Sequence, residues 1–252
     1  MFYLRLIWTA IRSLDANFLR SLLATLGVLI GVASVVACMS IMEGFSNDIT
    51  RKFRAMGSNL LYVSPAAVIV DGRPRGVAQT LVPDDVETLK KKLPELVDTV
   101  APEALGSATI KRFQKSFSYA VVSTSEAYFQ LHAFKATQGR VFTADEARDE
   151  SANLACLGSK AADELFGGMD AIGQAIKIGS TQYRVIGVME KKGSLGFLDA
   201  DNTVFIPFQI GLRRFLNRTY LDRFSVAVTA PKEMDRAEKE IKRVLREAHG
   251  MR

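Results

Sequence analysis

The feature that most constrains this chain is an uncharged stretch near its start, from Leu22 to Met42 (LLATLGVLIGVASVVACMSIM). The stretch has 21 residues, and the nearest charged residues are Arg20, two positions before it, and Glu43, directly after it. At about 1.5 Å per residue, a helix of this length is roughly 31 Å long, which matches the hydrocarbon core of a bilayer. The stretch therefore predicts a membrane-spanning helix at residues 21–43, followed by a long outer part.

Three other interpretations compete with a retained membrane helix. A buried core helix of a soluble domain rarely runs this long without a charge. A cleaved secretory signal has an apolar core of only about 7–15 residues that ends at small residues. Val35–Cys38 resembles a lipoprotein processing box, but the apolar run continues past Cys38 to Met42. A retained helix is therefore favoured, and lipidation of Cys38 stays open.

The flanking charges predict how the helix is oriented. The first 20 residues carry Arg5, Arg12 and Arg20 against one acid, Asp15. Short segments rich in Lys and Arg stay on the cytoplasmic side, whereas long domains cross largely regardless of charge. We therefore expect a single span with the N-terminus inside. Residues 1–20 also carry apolar residues at helical spacing, which predicts an amphipathic segment at the interface or an inward continuation of the span.

Gly27 and Gly31 form a G-x-x-x-G pair within the apolar stretch. Small residues let helices approach closely in lipid, where packing drives association. We therefore expect these two glycines to form a helix-packing surface. The sequence has no second apolar run of about 18 residues after Met42, so the partner helices are expected on other chains or in a continuation of this one.

The outer part predicts an α+β fold. Apolar runs and alternation predict strands at Asn59–Val63, Val97–Ala101, Ala108–Arg112, Ser118–Ser123, Leu154–Leu157, Ala175–Ile178, Gln182–Met189, Thr203–Pro207 and Phe224–Thr229. Helical periodicity and end signals predict helices starting at Pro83 and spanning Thr143–Arg148, Ser159–Phe166 and Lys232–His249. Residues 70–76 (VDGRPRG) predict an exposed loop.

The order of these elements predicts two subdomains. The first and last parts each combine a strand with an amphipathic helix, whereas the middle is richer in short strands and glycine turns. We expect a discontinuous α+β subdomain of residues 44–125 and 216–252, interrupted by a β-rich subdomain of residues 126–215.

Composition excludes several function classes. The net charge is +6, but basic residues are interspersed with acids, and a domain outside the membrane meets no nucleic acid. His132 and His249 have no Cys, Asp or Glu at ligand spacing, so each is expected to be an ordinary surface or half-buried residue. Gly158-Ser159-Lys160 lacks the upstream glycine of a P-loop. We therefore expect neither an enzyme, nor a metal site, nor a cofactor.

One acidic cluster, Asp199, Asp201 and Asn202, offers oxygen ligands for a cation, but a turn is favoured there. Cys38 lies in the apolar stretch and Cys156 in an apolar context, so an internal disulfide is not expected.

An ordered set of short motifs carries a family resemblance. Residues 17–35 resemble the first membrane helix of MacB/FtsX-type ABC transporter permeases. The middle of the chain is similar to that family's periplasmic core domain, in motifs that contain Gly139, Arg140, Phe142, Leu165, Phe166, Gly167, Ile172, Gly173, Gly187, Asp201, Asn202 and Pro207. Each motif alone is weak, but the ordered set extends over nearly the whole chain. Ala171 departs from the family, which commonly has proline after the Asp at that point.

The resemblance implies a permease subunit, or the N-terminal part of one, in the bacterial inner membrane. Its periplasmic domain would couple cytoplasmic ATP hydrolysis to export or extracytoplasmic movement of a substrate. The implied partners are an ATP-binding-cassette ATPase subunit, a second permease copy, membrane lipid and a periplasmic adaptor. The two subdomains resemble those called porter (44–125 and 216–252) and sabre (126–215).

Family permeases have four membrane helices, and the second should begin where this sequence ends. The chain is therefore expected to be truncated, split or a fragment. The alternative function is a single-span, membrane-anchored module that binds a ligand or lipid outside the cytoplasm. The resemblance leaves the transported substrate open.

Overall fold

The structure, a computed structural model, describes Trp8 and residues 18–55, 59–70, 73–195 and 198–250. The chain divides into two compact units, Met1–Phe53 and Arg54–Arg252. Most of the predicted amphipathic segment, residues 1–20, lies outside the described residues, although Trp8 is helical and exposed.

The first unit consists mainly of helix α1 (Phe18–Ala55). Its segment Phe18–Glu43 is long and apolar enough to cross a membrane, and within the described residues it is the one helix of that kind. The prediction of one apolar N-terminal helix is confirmed, and the helix extends beyond the predicted end at residue 43. A Cβ added at Gly27 or Gly31 would meet no atom within 4 Å, so a neighbouring helix has room to approach there.

The second unit is built on one mixed sheet. Within the described residues its nine strands are β1 (Leu60–Val63), β4 (Val97–Arg112), β5 (Lys115–Thr124), β6 (Ala136–Gly139), β7 (Leu154–Leu157), β8 (Ala175–Ile178), β9 (Thr181–Met189), β12 (Thr203–Pro207) and β13 (Arg223–Val228). Two short hairpins stand apart from this sheet, β2 (Ala67–Val70) with β3 (Arg73–Val77) and β10 (Ser194–Leu195) with β11 (Leu198–Asp199).

The sheet closes on itself at one end. Its order is β1-β13-β4-β5-β12-β7-β9-β6, with β8 pairing with both β4 and β9. Among the described strands, β4, β5, β12, β7, β9 and β8 therefore form a closed ring. Strand pairs β5–β12 and β7–β9 are parallel, and the other pairs are antiparallel.

The remaining elements are helices that cover the sheet. They are α2 (Pro83–Lys92), α3 (Glu126–Leu131), α4 (Ala144–Arg148), α5 (Ser159–Phe166), α6 (Phe208–Ile210, continued by a π-helical turn at Gly211–Phe215) and α7 (Met234–Ala248). Helix α2 begins at Pro83 and has Asp84 and Asp85 in its first turn. Proline suits this position because its missing N–H has no helical partner, and the acids suit the positive end of the helix dipole.

Three apolar clusters make up the core. Helices α2 and α7 pack together on β1, β4 and β13 through a cluster that includes Leu89, Val100, Phe224, Val226 and Ile241. The strands of the ring and helix α5 share a second cluster, and a third is rich in aromatic rings from α3, β12 and the segment after β6. Burial at about 25 cal/mol per Å² of apolar surface makes these clusters the main source of stability.

Three details differ from the sequence-based expectations. The strands predicted at Val97–Ala101 and Ala108–Arg112 are one strand, β4, because β13 pairs with β4 up to Glu103 and β5 pairs with it from Glu103 onward. Pro102 pairs with Phe224 of β13 and lies just before the residues of β4 that pair with β5. Helix α3 and strand β6 were not predicted, since each is too short for its periodicity to show. The predicted loop at 70–76 is wrong in its described part, which belongs to the paired strands β2 and β3; residues 71 and 72 lie outside the described residues.

The division of residues 44–125, 126–215 and 216–252 into two subdomains stays a prediction. The sheet itself runs through all three ranges, because β5 pairs with β12 and β4 pairs with both β13 and β8.

Replacing Gly187 with Ala tests the close approach of β6 and β9. A Cβ at Gly187 would lie 2.2 Å from the carbonyl oxygen of Arg140, a backbone atom that cannot move aside cheaply. We expect a loss of about 1–3 kcal/mol in the free energy of unfolding, measured by thermal denaturation in detergent micelles. The control is Ser180→Ala in the exposed β8–β9 turn, which should change stability by less than about 0.5 kcal/mol. Equal stability of the two variants would contradict this packing.

Candidate functional site

The β4–β5 hairpin extends from one end of the outer domain to the other. Strand β4 starts at Val97, which pairs with Val228, and the amide of Val228 donates to the carbonyl of Asn59 at 2.8 Å. We call this the Asn59 end, where the chain enters the domain from α1. Because β4 has 16 residues, its other end at Arg112 lies about 50 Å farther along the strand.

The far end of the hairpin carries an exposed aromatic ring. A two-residue turn, Phe113-Gln114, joins the paired residues Arg112 and Lys115. Phe113 has a φ of +50°, and its side chain is 87% exposed. A left-handed backbone costs an L-residue roughly 1–2 kcal/mol, and glycine is favoured in such turns. A large apolar side chain thus occupies a strained and solvated position, which indicates that Phe113 serves contact with another molecule rather than folding.

Arg112 fixes the hairpin tip onto helix α5. Its guanidinium carbon lies 4.2 Å from the ring centroid of Phe166 and 5.0 Å from that of Phe113. Its Nη1 donates to the carbonyl of Leu165 at 3.4 Å. Each cation–π contact contributes about 0.5–1 kcal/mol at an exposed site, so Phe113 is held against the fold although it is exposed.

Two more exposed apolar side chains extend this surface. Met169 is 59% exposed just after α5, and Phe117 is 38% exposed on β5. The tip surface, as we call it, consists of Phe113, Phe117 and Met169 with the cationic residues Lys111, Arg112, Lys115 and Lys177. Phe117 pairs with Ile110 and so lies on the same sheet face as Arg112, whereas Lys111 and Lys177 lie on the opposite face. Exposed apolar side chains with cations nearby are suited to a partner surface that combines apolar and acidic groups.

A buried polar network lies nearer the Asn59 end. Glu103 is fully buried, and its carboxylate pairs with Nε of Arg223 at 2.6 Å. The hydroxyl of Ser225 also donates to Glu103. Burial raises the pKa of Glu103, while Arg223 and the Ser225 hydrogen bond act in the opposite direction. These residues join β4 to β13, so the network is a structural element of the sheet.

His132 belongs to the same network. Its Nε2 lies 3.3 Å from the hydroxyl of Ser225, and its ring packs 4.2 Å from that of Tyr128. Burial, together with the nearby charges of Arg223 and Lys192, lowers the pKa of His132 to about 4. The expectation of a surface or half-buried residue is wrong for His132, which is 3% exposed. The reason is that His132 ends helix α3, which sequence patterns did not reveal.

His249 is half-buried, as expected, with Nε2 3.1 Å from the carboxylate of Asp85. Within the described residues no group of three or more His, Cys, Asp or Glu is arranged to hold a metal.

The motif residues after β6 form one local unit. Gly139 pairs with Gly187, and a Cβ at Gly139 would lie 2.1 Å from the carbonyl oxygen of Ile186. Arg140 donates from both Nη atoms to Glu146, each at 2.7 Å. The hydrogen bond from Arg140 is the main reason that the pKa of Glu146 falls to about 2. Phe142 is fully buried in the aromatic cluster.

The second group of motif residues surrounds the end of α5. Leu165 and Phe166 are buried in the ring cluster, and Gly167 ends the helix with a φ of +62°. Ile172 donates its amide to the side chain of Asp170 at 2.9 Å, and Gly173 has a φ of +78°. An Asp170 turn therefore forms at the point where the family commonly has proline.

The last motif group precedes and ends β12. Asp201 is buried and accepts from the amides of Lys192 at 2.8 Å and Gly193 at 2.9 Å. Its two oxygens are thus used by a turn, as favoured from the sequence, and Asn202 follows it in the same short 3₁₀ turn. Pro207 ends β12 opposite Thr124. The side chain of Ile172 lies against Gly139, where an added Cβ would be 2.8 Å from its Cδ1, so the first two groups are in contact. The described contacts of the motif residues are those of turns and packing.

Comparison with known proteins gives the family. Residues 21–244 match the family described as MacB-like periplasmic core domain. The chain belongs to this family. The resemblance inferred from the motifs is thereby confirmed, and so is the mixed α+β fold after one N-terminal apolar helix.

Relatives with the MacB name are similar over nearly the whole chain. The "Macrolide export ATP-binding/permease protein MacB" of Azoarcus sp. (strain BH72) is 37% identical over 245 residues, which are 96% of this chain and 36% of that protein. The protein of the same name from Chlorobaculum tepidum is 33% identical over 241 residues, 95% of this chain and 37% of the relative. The chain thus spans little more than a third of the length of these relatives.

Solved structures have the same fold. The periplasmic region of MacB from Actinobacillus actinomycetemcomitans gives a TM-score of 0.68 at 23% identity, covering 81% of this chain and 90% of that one. The extracellular domain of the noncanonic ABC-type transporter YknZ from Gram-positive bacteria gives 0.63 at 19% identity, covering 76% and 96%. The family match over residues 21–244 thus includes most of the apolar helix and the mixed α+β fold that follows it.

The low pKa of His132 predicts an acid-dependent loss of stability. The unfolded chain binds a proton at His132 below about pH 6.5, whereas the folded chain stays neutral there until about pH 4. Stability is therefore lost as the pH falls from about 6.5 to about 4, by about 3 kcal/mol from this group. We expect His132→Gln to remove this contribution, so that the free energy of unfolding of the variant falls less than that of the wild type as the pH is lowered over this range. Chemical denaturation at pH 7 and pH 4.5 gives the free energy of unfolding of both proteins. If the wild type and the variant differ by the same amount at the two pH values, the effect is ruled out.

Proposed function

We propose that this chain is the permease part of a MacB-like ABC transporter, whose outer domain transmits movement driven by cytoplasmic ATP hydrolysis to a substrate outside the membrane. The family membership and the "ATP-binding/permease" names of the relatives support this function. The substrate class is not part of the proposal.

The observation that carries the proposal is the continuity of the sheet from the Asn59 end to the tip surface. Strand β4 alone has 16 residues, and the ring of strands stiffens its far half. A displacement applied where the chain enters the domain would therefore be carried over about 50 Å with little bending.

The proposed location is the bacterial inner membrane, with the N-terminus in the cytoplasm and the outer domain in the periplasm. Arg5, Arg12 and Arg20 before the span support this orientation, as does the periplasmic description of the family. Two partners follow from the function: an ATP-binding-cassette ATPase subunit and a second permease copy. The two subdomains, residues 44–125 with 216–252 and residues 126–215, remain part of this proposal, and the sheet that runs through both joins them.

A periplasmic adaptor is the third proposed partner, and the tip surface is its proposed contact. The surface lies at the end of the β4–β5 hairpin that is opposite the Asn59 end. Its cations favour a protein partner with carboxylates around an apolar pocket.

The function is tested by affinity purification of the tagged chain, expressed together with its neighbouring genes. We expect an ATP-binding subunit to co-purify and to hydrolyse ATP. If the chain is instead recovered repeatedly without such a subunit, the transporter proposal fails and the anchored binding module becomes the better interpretation.

The variant Phe113→Gly tests whether Phe113 contributes to adaptor binding without contributing to the stability of the domain. Glycine relieves the positive φ, so we expect the domain to be stabilised by up to about 1 kcal/mol. Loss of the exposed ring should weaken adaptor binding on the order of tenfold, measured by biolayer interferometry. Gln114→Gly is the matched control on the next residue, and it should leave binding unchanged. Wild-type affinity of Phe113→Gly would remove the tip surface as the adaptor contact.

Replacing both Gly27 and Gly31 with Leu tests the proposed packing surface on α1. Leucine is well accepted by lipid, so membrane insertion should persist. Two bulky side chains should prevent close helix approach, and we expect less ATPase subunit and less second copy to co-purify. Val28→Leu with Val32→Leu, on another face of the helix, serves as the control. If the variant with leucine at both positions assembles like the wild type, helix α1 serves only to anchor the chain.

A further inference from the structure

Two neighbouring hairpins of the ring carry cations but no acids. Residues 104–125, which include most of the β4–β5 hairpin, and residues 171–189, which include the β8–β9 hairpin, contain no Asp or Glu. The whole chain has 33 Lys and Arg beside 27 Asp and Glu, so these two hairpins depart from its mixed charge pattern. On α7, by contrast, cations pair with carboxylates three or four residues away. The cations of the two hairpins have no such local partners.

Lys111 and Lys177 lie directly opposite each other on the outer face of the ring. They are Cα partners in the antiparallel pairing of β4 with β8, next to the partners Ile110 and Ile178. The two isoleucines are buried in the ring cluster, so by strand alternation both lysines point outward, where they are exposed. The Cβ atoms of such partners are about 4.5–5.5 Å apart, and like charges there destabilise a sheet. Folding alone therefore does not favour this pair.

Polar side chains surround the lysine pair. Gln182 of β9 is the Cα partner of Lys177, and Arg184 lies diagonal to Lys177 on the same face. The two-residue turn between β8 and β9 adds the hydroxyl of Ser180. Lys111, Lys177, Ser180 and Gln182 line one pocket of about 380 Å³, and none of the described residues that line it is an acid. Within the described part of the chain, neither lysine forms a side-chain hydrogen bond or an ion pair.

The chemistry of this pocket suits a phosphate group better than a carboxylate. A phosphate monoester carries a charge of about −1.5 to −2 at pH 7 and has three strong acceptor oxygens. It neutralises both lysines and still accepts from a third donor, whereas a single carboxylate leaves one ammonium group without a counter-charge. Lysine binds phosphate as a point charge on a flexible stem, so two ammonium groups are able to converge on one tetrahedral group.

We propose that Lys111 and Lys177 bind a phosphate group in this pocket, with Gln182 and Ser180 as neutral donors. The phosphate group belongs to a dissolved molecule or to the headgroup of a lipid, since the same contacts serve both. The site lies on the sheet face opposite that of Phe117. The proposal goes beyond the transport function and does not depend on it.

Phosphorus NMR of a phosphate ester tests the site. The experiment uses the full chain in non-ionic detergent micelles at about pH 7.5, where the ester is doubly charged, with glycerol 3-phosphate as the probe. We expect the line of the probe to broaden, with a dissociation constant of about 1–5 mM. Lys111→Gln and Lys177→Gln should each weaken binding about tenfold. Lys239→Gln on α7 removes an exposed lysine outside the pocket and should leave binding unchanged.

The repulsion between the two lysines gives a second readout. Without phosphate and at low salt, Lys177→Gln should raise the melting temperature of the chain, because it removes a like-charge pair. About 20 mM glycerol 3-phosphate should raise the melting temperature of the wild type by about 2 °C and that of Lys177→Gln by less. Potassium chloride of equal ionic strength is the reference, since it screens charges without filling the site.

Three results would overturn the proposal. The first is equal binding of the probe to Lys177→Gln and Lys239→Gln. The second is equal stabilisation of the wild type by potassium chloride. The third is equally tight binding of the dicarboxylate malonate, which would mean a surface that attracts any anion.

A vesicle measurement identifies the source of the phosphate group. The chain in phosphatidylcholine nanodiscs is mixed with vesicles that contain phosphatidic acid, which carries the same phosphate monoester as the probe. If a lipid is the ligand, the vesicles bind the wild type and not Lys177→Gln. If the ligand is dissolved, only glycerol 3-phosphate distinguishes the two proteins. Both results support the site, whether or not an ATPase subunit co-purifies.

Discussion

Backbone hydrogen bonding along β4 is the interaction on which the outer domain depends. This strand pairs with β13 and β5 on its two sides, and then with β8 beyond the range of β13. Each buried backbone group must find a partner. Between the residues that pair with β13 and those that pair with β8, the amide of Leu105 donates to Asp222 at 2.5 Å and its carbonyl accepts from Arg218 at 3.4 Å. The three apolar clusters lie on the surfaces that this arrangement creates.

The buried network around Glu103 reinforces β4 at its most enclosed point. Glu103 pairs with Arg223 directly across the β4–β13 ladder. A buried ion pair adds little net stability, but removal of one partner leaves a buried charge that costs several kcal/mol. The network therefore mainly specifies the register of β13 against β4. A shift of β13 by one residue would separate Glu103 from Arg223 and turn their side chains to opposite faces.

Sequence patterns predicted the long and the strongly marked elements. The apolar span, the proline and acids that start α2, and the amphipathic α7 all carry local signals, and their positions agree with the structure. The continuity of β4 was not predictable, because Pro102 and Gly106 suggest breaks and only the positions of β13 and β5 explain their tolerance. The closed ring depends on β8 pairing with two strands, and one sequence carries no signal for pairings so distant.

The candidate site was less predictable than the fold. Phe113 appeared in the sequence as one more apolar residue near a strand end, and only its backbone angle and exposure make it distinctive. The network around His132 combines residues from four separate elements, β1, β4, β13 and the end of α3. Neither feature follows a periodicity, since both arise from tertiary contacts. The motif residues, by contrast, identified the family although the structure does not gather them into a single site.

The closed ring has a consequence for how this domain can be recognised. Exposed strand edges allow a neighbouring chain to join a sheet through backbone hydrogen bonds, with little regard to sequence. In the described far half of the domain, the strands of the ring use both of their sides on one another. A partner that approaches there must be recognised through side chains, so that binding at this end can diverge between related transporters by surface substitutions while the sheet beneath stays the same.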